Sequence, residues 1–269
     1  VERSRGLGDV YKRQSINTNT QSAVKARDLR SNSKQILKLK KAYEAKYSNG
    51  FFATKRGEII PADKDKQYCI ELSYLGKNLT AWYMQRPNLS YGETKIFDKY
   101  FNTLFKNDYL PEDAYALSFW MRKIMDAWTQ ENPLGLEEEL LTMKAYAPYH
   151  LLFAISMVFA KCNNQTNVPS PSECLKVASE NNLVDSIINI AANCLNSAIS
   201  AEKNNCEQNN KSFIPQNWVK NKSCNAGIMS AIQNYFSFLP TMNKEMDSKL
   251  KNGVKIDSKY FSYRVQAED

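Results

Sequence analysis

The sequence of 269 residues contains one histidine, His150, and six cysteines that lie at least 12 residues apart. No C-x-x-C pair occurs, so the ligand spacing of zinc fingers and zinc knuckles is missing, and we predict no metal site. A histidine-dependent catalytic triad would have to use His150, and no serine or cysteine nucleophile motif accompanies it. We therefore interpret His150 as a packed or helix-terminal residue and predict no catalytic residue in this sequence.

Other common motifs are missing too. No Gly-Lys-Ser or Gly-Lys-Thr sequence occurs, which excludes a glycine-rich phosphate loop, and we predict no cofactor. The longest apolar run, residues 151–160, is about half of the roughly 20 residues that span a bilayer, so we predict a core helix there and no membrane partner. The six cysteines could form three disulfides, but no signal peptide is visible. We favour reduced thiols and a cytoplasmic location.

Glycine and proline are scarce, with nine of each, and charged residues make up 24% of the chain. These values exclude a collagen-like or wholly disordered chain. Hydrophobic residues at 43% and aromatic residues at 12% provide enough apolar surface for a buried core. The composition is that of an ordinary globular protein.

The net charge is +8, from 36 basic and 28 acidic residues. Residues 1–14, VERSRGLGDVYKRQ, resemble a translated sequencing-adapter read, and we treat them as a non-native tail. They hold four basic and two acidic residues, which leaves a net charge of +6 on residues 15–269. Since no initiator methionine is present, we expect the natural protein to continue upstream of residue 15.

Apolar residues at three-residue and four-residue steps predict a series of amphipathic helices. Cap and breaker residues predict where they begin and end: Pro111 and Ser170 at starts, Pro148 at a break, and Pro240 at an end. The predicted helices cover approximately residues 23–29, 34–47, 72–83, 93–105, 111–130, 136–162, 171–201 and 224–238. Residues 51–56 and 58–60 flank a turn at Gly57 and predict a β-hairpin, with a third strand at about residues 68–70.

These elements predict a mainly α (α+β) fold, a multi-helix domain with one small β-hairpin or short antiparallel sheet near its N-terminal end. We predict a helical core with the small β element at residues 15–201 and a polar loop at residues 202–212. A C-terminal helical segment, residues 213–269, is expected to pack on the core.

Two Glu-x-Lys sequences, at Glu44 and at Glu93, match half of a metal-dependent nuclease motif. That chemistry needs carboxylates that hold magnesium and a lysine near the attacking water, presented by adjacent strands. Both sequences fall in predicted helices, and the pattern arises readily by chance in a chain rich in these residues. We therefore do not interpret either as an active site.

Basic residues are concentrated between residues 25 and 56, where few acidic residues oppose them. Such a cluster suits phosphate contacts, while Asn and Gln side chains can hydrogen-bond to base edges. The alternative is a solvated helix face. The basic residues are Lys25, Arg27, Arg30, Lys34, Lys38, Lys40, Lys41, Lys55 and Arg56.

From this cluster we predict a nucleic-acid-binding site. The phosphate contacts are expected from Lys25, Arg27, Arg30, Lys55 and Arg56. Gln21 and Asn32 are expected to bind bases, with a helix cap as the alternative for Asn32.

Residues 15–32, SINTNTQSAVKARDLRSN, carry an N-x-Q element, a valine, an Asp-Leu pair and a Ser-Asn pair in that order. This arrangement resembles the C-terminal region of the abortive infection phage resistance (AIPR) family of bacterial proteins. The matching residues are Asn19, Gln21, Val24, Asp28, Leu29, Ser31 and Asn32. Three further segments resemble the family in the same order, namely residues 51–58 (FFATKRGE), 79–87 (LTAWYMQRP) and 95–105 (KIFDKYFNTLF).

The resemblance implies a role in antiphage defence, often alongside restriction-modification systems. It also implies that members of the family have an N-terminal part, which residues 15–269 do not match. It favours a nucleic-acid-sensing or scaffold portion with DNA or RNA as the partner. One alternative is a protein-interaction module that docks partner defence proteins or a second copy through residues 95–105 or the Trp120 and Trp128 face. Another is part of a nuclease whose catalytic domain lies upstream.

Overall fold

The computed structural model of the chain describes residues 26–105, 110–129 and 131–262. The described residues are mainly helical, as predicted, with thirteen α-helices and four short strands. The first helices are α1 (Ala26–Arg30), α2 (Lys34–Lys46), α3 (Leu72–Trp82), α4 (Glu93–Asp98), α5 (Phe101–Leu104), α6 (Pro111–Met125) and α7 (Glu138–Leu141). The others are α8 (Ala147–Cys162), α9 (Pro171–Glu180), α10 (Val184–Gln208), α11 (Pro215–Lys220), α12 (Lys222–Met242) and α13 (Lys244–Gly253).

Helix α8 is the centre of the fold. Fourteen of its 16 residues are buried, so it has no polar face. Helices α3, α6, α10 and α12 all pack against it. Pro148 lies in its first turn, where a missing amide costs no helical hydrogen bond, so the predicted break at this proline is confirmed.

The predicted β-hairpin is wrong. Strand β1 (Phe51–Ala53) pairs in parallel with β2 (Cys69–Glu71), while residues 58–60 form no strand. The parallel pairing sets Phe52 opposite Ile70, and both side chains are buried. A hairpin would instead have used Ile59, whose side chain is 86% exposed. Because pairing with β2 buries more apolar surface, it is favoured over the shorter loop. A second small sheet pairs β3 (Val168–Pro169) with β4 (Phe261–Ser262) in antiparallel register.

Two predicted boundaries in the C-terminal half are also wrong. Helix α10 continues to Gln208, so most of the predicted polar loop at residues 202–212 is helical. Its Glu, Lys and Gln residues favour helix even where no core supports them. Pro240 lies inside α12 instead of ending it. It stands within one turn of the C-terminal end, where the missing amide costs one hydrogen bond.

A single hydrophobic cluster includes buried side chains from Ile36 to Val254. The described part of the C-terminal segment therefore packs on the core, mainly through α12 on α10. The predicted helix at residues 93–105 is divided into α4 and α5, and the apolar and aromatic side chains along it are buried. These six side chains, none more than 6% exposed, are Ile96, Phe97, Tyr100, Phe101, Leu104 and Phe105.

One buried carboxylate joins the N-terminal ends of α6 and α9. Asp113 Oδ1 accepts hydrogen bonds from Ser170 Oγ at 2.9 Å, Ser172 Oγ at 2.7 Å and the Ser172 amide at 3.2 Å. Ser170 is the N-cap of α9, as predicted, and Pro111 is in the first turn of α6. The negative charge thus lies at the positive ends of two helix dipoles.

We predict that Asp113→Ala lowers the free energy of unfolding by about 2–4 kcal/mol, because it leaves two serine hydroxyls without their charged acceptor. Denaturant unfolding at neutral pH measures the change from the midpoint at constant m-value. Asp185→Ala is the matched control, because its exposed carboxylate makes one surface ion pair, with Lys123 at 3.7 Å. That control should change stability by less than about 0.5 kcal/mol, and equal effects of the two variants would contradict the prediction.

Candidate nucleic-acid interface

Five of the seven predicted site residues fall in the described part of the chain, whereas Gln21 and Lys25 lie outside it. Arg27 and Arg30 are on α1, Asn32 is in the turn before α2, and Lys55 and Arg56 are in the loop after β1. The structure assigns different surroundings to these five side chains.

Arg27 is buried, with 8% of its surface exposed. Its guanidinium forms ion pairs with Glu93 at 3.2 Å and with Asp28 at 3.3 Å. Two carboxylates therefore neutralise this cation, and α1 is held against α4. In this arrangement Arg27 is a structural residue and is not positioned to contact a phosphate.

Arg30 also contacts the protein. Its Nε donates a hydrogen bond to the Phe97 carbonyl at 3.3 Å. The guanidinium carbon lies 4.8 Å from the centre of the Phe101 ring, a distance typical of a cation–π contact. Arg30 is half-buried, and its main contacts fasten α1 to α4 and α5.

Asn32 is exposed and does not cap a helix. The N-cap of α2 is Ser33, whose side chain accepts from the Ile36 amide at 3.4 Å. The preceding turn is closed by Ser31, whose hydroxyl donates to the Asp28 carbonyl at 2.7 Å. The capping alternative for Asn32 is therefore wrong, and its side chain faces solvent.

Lys55 and Arg56 are exposed at the tip of a turn that Glu58 organises. One oxygen of Glu58 accepts from the Thr54 amide at 2.8 Å and from the Lys55 amide at 3.0 Å. The Glu58 amide donates to the Lys55 carbonyl at 3.3 Å. Gly57 has a φ of 71°, a value that favours glycine in the third position of such a turn. The two basic side chains are thus presented on a defined loop.

The outer face of α2 adds three lysines that the predicted site left out. At about 100° per residue, Lys34, Lys38 and Lys41 lie within about 60° of arc. The buried residues Ile36 and Tyr43 are on the opposite side. The helical spacing of these lysines was visible in the sequence and was the signal that could have placed them in the site.

Lys40 joins the turn to α2. Its ammonium group lies 3.2 Å from the second oxygen of Glu58 and 3.8 Å from Glu44, and it is 4.7 Å from the centre of the Phe51 ring. Burial by itself raises the pKa of Glu58, but the amides of Lys55 and Thr54 and the Lys40 ammonium together bring that pKa below its ordinary value. The turn is therefore tied to α2. We call the lysines of the outer helix face and the two basic side chains of the turn the basic edge: Lys34, Lys38, Lys41, Lys55 and Arg56.

The two Glu-x-Lys sequences do not form a nuclease site in the structure. Both lie on helices, and their carboxylates are engaged, Glu44 by the Phe52 amide at 3.2 Å and Glu93 by Arg27. Across residues 26–105, 110–129 and 131–262, no group of three His, Cys, Asp or Glu residues is arranged to hold a metal ion.

His150 is fully buried, and its Nδ1 lies 3.1 Å from the Tyr146 carbonyl. Burial lowers the pKa of His150 to about 4, against smaller opposing effects of the Tyr146 and Val219 carbonyls. The imidazole is therefore neutral at physiological pH and lies in the core, in agreement with the interpretation as a packed residue. A general base would need access to a substrate proton, which this position does not provide.

All six cysteines are free thiols, and burial raises the pKa of Cys162, Cys174, Cys194 and Cys224. Buried thiols with raised pKa values are poor nucleophiles. Among the described helices, none combines the length and the apolar character of a membrane span.

We predict that Glu58→Ala lowers the free energy of unfolding by about 1–2 kcal/mol at neutral pH, because two turn amides and Lys40 lose their acceptor. Since the folded-state pKa of Glu58 is below its ordinary value of 4.5, the stabilisation is fully present above that value and declines as the pH falls through the folded-state pKa. Urea unfolding of the unsubstituted chain and of Glu58→Ala from pH 7 to pH 3 measures this. The difference between their free energies of unfolding should become smaller in acid. The exposed Glu180 provides the control, and Glu180→Ala should change stability by less than about 0.5 kcal/mol. A difference in the free energy of unfolding that stays constant with pH would contradict this role for the Glu58 carboxylate.

The resemblance to the AIPR family stays a prediction. Comparison of the chain with known protein families, with curated proteins and with solved structures found no match.

Proposed function

We propose that this chain is the C-terminal portion of a bacterial abortive-infection antiphage defence protein, and that its basic edge contacts the phosphates of DNA or RNA. The observation that carries the proposal is the exposed state of this edge. Lys34, Lys41, Lys55 and Arg56 are exposed, and no acidic side chain of the described residues pairs with them. By contrast, Arg27 and Lys40 in the same region are neutralised by carboxylates.

The geometry of the edge suits phosphate binding. The lysines lie on one side of a helix, and the turn that carries Lys55 and Arg56 is tied to the same helix by Lys40 and Glu58. Cations in fixed positions neutralise several phosphates at once and release counterions, which supplies most of the affinity in sequence-independent binding. Asn32 is exposed beside α2 and is available to hydrogen-bond to a base or a sugar.

The protein-interaction hypothesis is less well supported. Its proposed docking surfaces were the aromatic residues 95–105 and the Trp120 and Trp128 face. The aromatic side chains of the first are buried, and Trp120 is fully buried. Trp128 is half-buried and donates from its indole nitrogen to the Leu141 carbonyl at 2.9 Å. These side chains therefore pack against other parts of the described chain, and this packing accounts for them without a docked partner.

We predict that the double substitution Lys55→Ala with Arg56→Ala weakens binding to duplex DNA and lowers the log–log salt slope by about 2, because each phosphate contact contributes about 0.9. Fluorescence anisotropy between about 50 and 200 mM salt, with a labelled duplex and a labelled single-stranded RNA, measures both quantities. The RNA series also shows which nucleic acid the edge prefers.

Lys176→Ala with Lys244→Ala removes the same number of exposed basic residues from the C-terminal helices and should leave the slope unchanged. Absence of binding by the unsubstituted chain at low salt, or the same slope in both double variants, would refute the proposed interface.

A further inference from the structure

A groove lies between α3 and α6, and none of the basic-edge residues lines it. It consists of two adjoining cavities of about 540 Å³ and 410 Å³, which share Tyr74, Met121 and Met125. Each volume is within the range of small-molecule sites, about 300–1,000 Å³. The groove is therefore large enough for a ligand of metabolite size.

Helical spacing in the sequence builds both walls. Tyr74, Lys77 and Asn78 lie at positions i, i+3 and i+4 of α3, so they share one face. The facing side of α6 carries Ser118, Met121, Arg122 and Met125. Because α3 and α6 both pack on the central helix α8, the two walls are held in fixed positions.

Two tyrosine rings in the wider cavity are exposed to an unusual degree for large aromatic side chains. Tyr74 is 53% exposed and Tyr91 is 44% exposed. The Tyr91 ring packs at a tilt on Tyr146, with 5.0 Å between ring centres, which fixes its position. The Lys77 ammonium lies 5.5 Å from the centre of the Tyr74 ring. Exposed, positioned aromatic rings next to cations are the features that bind nucleobases by stacking.

The charges along the groove are unequally distributed. At the Tyr91 end the charged lining residues are Lys77 and Lys144, and no carboxylate of the described residues pairs with either. At the other end Glu71 and Asp126 lie with Arg122, whose Nη1 donates to Ser118 Oγ at 2.7 Å. The Tyr91 end thus suits an anionic group, and the other end suits a group that donates hydrogen bonds.

We propose that this groove binds a nucleotide. The base stacks on Tyr74, while the phosphate pairs with Lys77 and Lys144. A free mononucleotide and a base of a single-stranded nucleic acid share this chemistry. The inference goes beyond the proposed function, because it concerns a separate site that stacks a base and does not depend on the basic edge.

Isothermal titration of the full chain with AMP tests the stacking contact. Tyr74→Ala should weaken AMP binding about tenfold, in line with the stacking energy of one base. Tyr260→Ala removes a partly exposed tyrosine outside the groove and should leave AMP affinity unchanged.

The double substitution Lys77→Ala with Lys144→Ala should weaken AMP binding but not adenosine binding, because adenosine has no phosphate. The Lys55→Ala, Arg56→Ala protein should bind AMP normally, so failure of the basic edge and failure of this site give different results. If an oligo(dA) or oligo(A) strand binds in a Tyr74-dependent manner and AMP does not, the nucleotide is part of a strand. If neither binds, or if Tyr74→Ala and Tyr260→Ala behave alike, the proposal is wrong.

Discussion

The fold depends on the need to enclose a helix that has no polar side. Helix Ala147–Cys162 is buried over nearly its whole length, and four other helices cover it. Its polar side chains must be satisfied internally: Ser156 donates to the Phe153 carbonyl at 2.7 Å and accepts from Gln85 at 2.9 Å. Because a buried polar group without a partner is costly, such contacts fix how the neighbouring segments approach the helix. Burial also keeps His150 on this helix neutral, because it lowers the pKa of the imidazole to about 4.

Both candidate sites lie on elements that this central packing positions. Helices α3 and α6 form the groove on their outer sides and contact α8 on their inner sides. Helix α2 packs on α6 and β1 through Ile36, Leu39 and Tyr43, which leaves its lysines in solvent. Binding groups on rigid elements are held more precisely than groups on long loops. The basic edge therefore combines a preformed helix face with a turn whose amides are fixed by one carboxylate.

Local signals in the sequence predicted local structure well. Pro111, Ser170 and the break at Pro148 were correct because caps and breakers act within one helical turn. The predicted hairpin was wrong because the pairing partner of β1 depends on a contact between residues far apart in the chain. Phe52 is buried beside Ile70 in the observed parallel pair. The groove could not be predicted, because it requires two helices that are separated in the chain to face each other at a known distance.

Arg27 illustrates how a residue can matter for activity without touching a ligand. Its ion pair with Glu93 couples α1 to α4 in the folded chain. Loss of one partner from a largely buried pair lowers stability, and lower stability reduces the amount of folded protein in a cell. A genetic screen for defective variants would therefore score Arg27 as strongly as a proposed phosphate contact such as Lys55. Only the ratio of activity to the amount of folded protein distinguishes loss of stability from loss of a ligand contact. The same reasoning applies to Arg30, which packs on the aromatic ring of Phe101.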